Sequence, residues 1–167
     1  FKKVLSAYRS DPSQNVDGFE LLENQLSSSD QQIFDKDPEK ILRLFRHSQR
    51  LSATLSPDLR SLIRNRLSLI DSTLINSTSA NVTFRSILQE IGNVSPTLCE
   101  MHELGVLGRF IPEFGRLTCK VQHDLYHRFT ADVHVLHCIT VLDEVFQGKR
   151  PDAKQYLNAI RKNEVPG

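Results

Sequence analysis

The sequence has almost no net charge: 21 Lys and Arg stand against 20 Asp and Glu, leaving +1. No strong field draws such a chain to nucleic acid or to anionic lipid. No apolar run approaches the roughly 20 residues a helix needs to cross a bilayer. No basic start followed by an apolar core and a cleavage site marks a secretory signal. Cysteine is scarce and odd in number, with Cys99, Cys119 and Cys138. Their spacing fits neither a CxxC pair nor a zinc ribbon. They read as free, buried thiols of a reducing compartment, so the expected location is cytoplasmic. Common catalytic templates are missing too: GxxxxGK[ST], GxGxxG opening a helix, HExxH and GxSxG.

What is present is globular. Hydrophobic residues make up 39 % and charged residues 25 % of 167 positions. That suits one domain, or one domain and a stub of the next. The chain starts at Phe1 rather than Met, and both ends read as cuts in a longer protein.

Along the chain, residues 1–9 suit the tail of a helix, and the cluster from Ser10 to Asn15 breaks it. Residues 18–26 alternate roughly and read as a short extended segment or hairpin. From Asp37-Pro38 the texture turns helical. Asp37 is expected to cap a helix with Pro38 in its first turn, and Ile41, Leu42, Leu44 and Phe45 supply its apolar face. Ser56-Pro57 repeats the signal ahead of Leu59, Leu62 and Ile63. A third helix spans 82–91, closed by Gly92-Asn93. Ser95-Pro96 opens a fourth, closed by Gly105. A long helix follows from about Asp132 to Phe146, closed by Gly148, and Pro151-Asp152 starts a last one. The fold class is therefore mainly α: an irregular helical bundle with a short N-terminal β-hairpin. Three parts are expected: a leading segment 1–36 with the hairpin, a helical domain 37–121, and a separate start of another domain at 122–167.

Four of the six histidines fall close together: His123, His127, His134 and His137. Imidazole is a common metal ligand and proton carrier. His134 and His137 stand i,i+3 on one helix, and His123-Asp124 is like the doublet of HD-type phosphohydrolases. The competing reading is that all four are structural, hydrogen-bonded histidines. Gly105-Val106-Leu107-Gly108 reads as a turn permitting close backbone approach. Arg109 and Arg116 suit either a phosphate or a solvated rim. Glu100, Glu103 and Glu113 are expected on solvated faces.

The run Met101-His102-Glu103-Leu104-Gly105-Val106-Leu107-Gly108-Arg109-Phe110-Ile111-Pro112-Glu113-Phe114-Gly115-Arg116 resembles a signature of the bacterial PII uridylyltransferase/uridylyl-removing enzyme family. Its continuation from Val121-Gln122-His123-Asp124 to Ala131-Asp132-Val133-His134 resembles the family's approach to its HD domain. Asp17-Gly18-Phe19, Phe34-Asp35-Lys36-Asp37-Pro38, Ser56-Pro57 and Phe84-Arg85-Ser86-Ile87-Leu88 are similar as well, so the likeness covers about 17–146. It implies a parent that joins a nucleotidyltransferase domain, a helical connector, an HD hydrolase domain and paired ACT domains. Such an enzyme adds UMP to a tyrosine of PII and removes it, with glutamine shifting the balance. This chain would be the connector and the opening of the HD domain. UTP and a divalent metal of the Mg or Mn type would belong to the parent, and no cofactor is expected in the piece itself.

By that resemblance one metal ligand carries over, His134. His123-Asp124 and His127 align outside the metal set. Val133 and Val135 depart from the acidic residue and threonine usual beside that histidine, which puts hydrolase activity of the parent in doubt. A non-catalytic interaction module from a divergent paralogue is the alternative, and a self-contained HD phosphohydrolase is a third reading. Self-association through apolar surface on the 132–146 helix is also expected.

Overall fold

The structure is a computed structural model that describes residues 14–118 and 130–163. The expected helix tail at 1–9, Cys119, His123, Asp124 and His127 lie outside those residues. Strands β1 (Gln14–Val16), β2 (Phe19–Leu22) and β3 (Gln25–Ser27) form an antiparallel meander, and β4 (Thr54–Leu55) joins β3 in parallel. Both hairpin loops hold two residues with positive φ: Asp17-Gly18 at 56° and 89°, and Glu23-Asn24 at 47° and 65°. Paired positive φ suits the tight turns whose twist matches that of the strands. The sheet buries Phe19 and Leu26 against the helices that follow.

Those are α1 (Ile33–Lys36), α2 (Lys40–Leu51), α3 (Pro57–Asn65), α4 (Ser72–Ile75), α5 (Thr78–Leu88), α6 (Ser95–Glu103), α7 (Val106–Phe110), α8 (Pro112–Thr118), α9 (Ala131–Phe146) and α10 (Ala153–Asn163). The described residues are thus mainly helical, with a small N-terminal sheet. Helix α2 is central. Its Ile41, Leu42, Leu44 and Phe45 are fully buried, and it packs on α5 and α6. Its Gln49 amide donates to the carbonyls of Ile87 (3.1 Å) and Asn93 (2.7 Å), which fixes the loop after α5. One continuous apolar core runs from Phe19 in β2 to Leu136 in α9.

Three helix starts differ from expectation. Helix α5 begins at Thr78 rather than 82, because Ser77 Oγ accepts from Ala80 N and caps it there, and it ends at Leu88, ahead of Gly92-Asn93. Asp37 does not cap α2; the N-cap position is Glu39, without a side-chain cap. The Asp37 carboxylate instead accepts from Arg43 Nη2 at 2.6 Å. Arg43 also reaches Asp17 in the first hairpin turn, with Nε donating to Oδ2 at 2.7 Å, and so pins the sheet to α2. Helix α3 starts as its sequence implies, with Leu59 N donating to Ser56 Oγ at 3.2 Å ahead of Pro57. Helix α6 has Val94 at the N-cap and Ser95 as its first helical residue, again without a cap of its own.

Candidate functional site

The cap that α6 lacks comes from α9. Asp143 Oδ2 accepts from Val94 N at 2.8 Å and from Ser95 N at 2.6 Å. The first amides of a helix have no intrahelical acceptor. A carboxylate there meets both the open donors and the positive end of the helix dipole. Asp143 is only 6 % exposed, and these bonds offset the cost of burying its charge. Around it, Ser95 Oγ meets Thr140 Oγ1 at 2.5 Å, and the Gln147 amide donates to Gly92 O, beside the left-handed Gly92 (φ 81°).

The other end of the same pair is closed by a second acid. Asp132, 2 % exposed, places Oδ2 3.2 Å from His102 Nε2, and the His102 ring stands edge-on to Phe114 of α8. His102 is at the end of α6 and Asp132 at the start of α9, so the two helices run antiparallel. Between the acids, Leu136 is buried in the core. Thr140 closes on α9's own backbone as well, donating to Leu136 O at 3.1 Å. Helix α8 backs the seam. Gly108 of α7 and Gly115 of α8 approach so closely that a Cβ on Gly115 would collide with the Gly108 carbonyl. Of the expected turn Gly105–Gly108, only the left-handed Gly105 (φ 80°) turns the chain; Val106, Leu107 and Gly108 are already helical in α7.

His134 is on the opposite, exposed side of α9, and His137 is exposed on its flank. Cys138 Sγ lies 3.9 Å from His134 Nε2. Among the described residues no group of three or more His, Cys, Asp or Glu is arranged to hold a metal. One imidazole and one thiol on an exposed helix face are too few for a stable divalent site, so the described residues alone do not fit the metal that the resemblance implies.

Other expectations need correcting. Cys138 is exposed and Cys99 half-buried, so these two described thiols are free but not fully buried. Glu100 is not on a solvated face. Its side chain is 20 % exposed and takes Arg60 Nη1 at 2.5 Å. Burial pushes its carboxyl above the usual range against the pull of Arg60, and Glu103 adds to the rise. Glu113, Arg109 and Arg116 are exposed.

Asp132 and Asp143 were not among the residues singled out from the sequence. A usable signal was present, because Asp132, Leu136, Thr140, Asp143 and Gln147 follow a four-four-three-four spacing, which is one stripe of a helix. A stripe with acids at both ends of a buried leucine marks a packed face with polar partners across it.

Two comparisons bear on this arrangement. Residues 19–110 match the model of the family described as uridylyltransferase GlnD third domain. The chain is also 34 % identical over 146 residues to the bifunctional uridylyltransferase/uridylyl-removing enzyme of Rhodopseudomonas palustris. That alignment covers 87 % of this chain and 16 % of the relative, so the chain spans about one sixth of the protein it matches. With more than half of its residues inside the family match, the chain belongs to the uridylyltransferase GlnD third-domain family.

Proposed function

We propose that this chain is the helical connector of a bifunctional uridylyltransferase/uridylyl-removing enzyme, joined to the first helices of its HD hydrolase domain. The observation that carries this reading is the α6–α9 seam. It bolts the helix bearing His134 onto the body that contains the family match, through buried polar contacts at both ends. A connector built this way sets the distance and angle between what lies before it and what α9 leads into. The parent would transfer UMP from UTP to a PII-type signal protein and hydrolyse it off again, with glutamine as the regulator, in the cytoplasm. His134 would be one ligand of a divalent metal completed by residues beyond this chain.

The test uses the full-length protein that carries this chain. Uridylyl transfer to a PII-type protein and its removal are measured for wild type and His134→Ala. The expected result is a transfer rate within about twofold of wild type and a loss of removal of about a hundredfold or more, the scale set by losing a group needed only at the reacting centre. Normal removal in the variant would sink the role of His134. No transfer and no removal by the wild type would sink the enzyme reading.

One observation favours the second reading, a non-catalytic interaction module. Val133 and Val135 flank His134 and are 38 % and 39 % exposed, giving an apolar surface where a hydrated metal site needs polar support. The two readings part on the flanking sequence. Paired aspartates upstream and a His-Asp doublet downstream belong to the enzyme.

A further inference from the structure

We propose that Asp143 is a positioning residue for uridylyl removal: by capping α6 from α9 it fixes the rotation and register of the helix that presents His134. The proposal rests on the functional reading above. Apolar packing between the helices, through Leu136 and its neighbours, is non-directional, whereas a hydrogen bond is aimed. Successive residues of a helix are turned by about 100°. A rotation of α9 by one position would therefore swing His134 well away from its present direction. Two backbone N–H donors on one carboxylate oxygen admit little such freedom, because hydrogen bonds weaken steeply off line. Thr140 and Gln147 hold the adjoining turns to Ser95 and Gly92, so the fixed point is the C-terminal half of α9. Asp132 holds the other end through His102. The carboxylate therefore acts at a distance, through helix geometry, and touches no reacting group.

The experiment uses the full-length protein with Asp143→Ala, Asp143→Asn and Asp143→Glu. Rates of transfer and removal are measured together with amide hydrogen exchange of α6 and α9. In Asp143→Ala the removal kcat is expected to fall about tenfold to a hundredfold, the scale of an ångström-level misplacement. Its KM and the transfer rate should stay within about twofold, and exchange should rise at Val94, Ser95 and along α9. Asp143→Asn keeps an acceptor oxygen of the same reach and should recover most of the removal rate; if the alanine variant does not fold, the asparagine and glutamate variants carry the test. Asp143→Glu adds a methylene, which shifts the oxygen, and should fall between. A merely structural role predicts something else, with both activities falling together in proportion to thermal stability. That outcome overturns the proposal, as does an unchanged removal rate in Asp143→Ala. If the wild type shows no removal at all, the functional reading has failed separately, and exchange decides: unchanged α9 exchange in Asp143→Ala overturns the positioning role.

Discussion

At the scale of single residues, the densest electrostatics sit where the sheet meets α2. Arg43 reaches Asp17 at 2.7 Å, Asp37 at 2.6 Å and Glu39 at 3.7 Å. Burial pushes the Asp17 carboxyl up, yet its hydrogen bond and charge pairing with Arg43, with help from Lys40 and His47, hold it below the ordinary value. Glu39 is lowered chiefly by hydrogen bonds from Ser77 and Ser79. A carboxylate whose pKa is lowered by folding stabilises the fold above its unfolded pKa, about 4. That stabilisation is lost as pH falls through the lower, folded value. Glu100, raised by burial, has the opposite sign and partly offsets this slope. Stability in urea is therefore expected to fall from about pH 4 downward, and Asp17→Asn should make that acid limb shallower. An identical slope in the variant would count against the assignment.

The same scale shows which caps a sequence can reveal. Ser56 caps α3 because donor and acceptor are three residues apart, which is local information. Asp37 has the right type and place, but Arg43 claims its carboxylate. The true cap of α6 is 48 and 49 residues from the amides it serves, and no local pattern points to it.

At the scale of elements, the longer helices α2, α3, α5, α6, α9 and α10 are legible because their apolar spacing or cap-and-proline starts are strong, whereas the one-to-two-turn α1, α4, α7 and α8 are too short to show a period. Gly105 and Gly148 mark turns with positive φ. The paired hairpins are less legible. Glu23-Asn24 turns with positive φ and no glycine, which weakens the signal. The α7–α8 corner is the tightest joint. Alanine at Gly115 would press on the Gly108 carbonyl, a backbone atom that cannot swing aside. The cost expected for Gly115→Ala is about 1–3 kcal/mol, the usual range for overpacking, measured by chemical denaturation. Because α8 packs on α9, exchange along α9 should rise as well. A variant as stable as wild type would show that α8 moves away without penalty.

At the scale of the whole molecule, the outer surface beside α9 is unusually apolar. A groove of about 350 Å³ between α9 and α10 is lined by Cys138, Val141, Leu142, Val145, Arg150 and Tyr156. A second, of about 220 Å³, opens on the other side of Leu142, toward Leu88, Ile91 and Phe146. Ile91 is 72 % and Leu142 48 % exposed. Contiguous apolar surface of this kind favours association. The isolated chain is expected to self-associate at high concentration in sedimentation velocity, and Leu142→Glu, which puts a charge between both grooves, should return it to a monomer. A wild-type chain that stays monomeric would dismiss the idea. No described helix is long and apolar enough to cross a membrane.

The borrowed cap of α6 also bears on how the protein is made. A ribosome extends a chain by roughly 5–20 residues per second. Asp143 is thus synthesised roughly 2–10 seconds after the amides of Val94 and Ser95, at that rate. During that interval any α6 turn formed in the nascent connector would have only water at those two amides. The match to the family ends at Phe110, and Asp143 lies beyond it. A polypeptide cut at the edge of that match would keep this immature form permanently. Expression trials that respect the family boundary would then yield a frayed α6, while those continuing through Gln147 would capture the mature one.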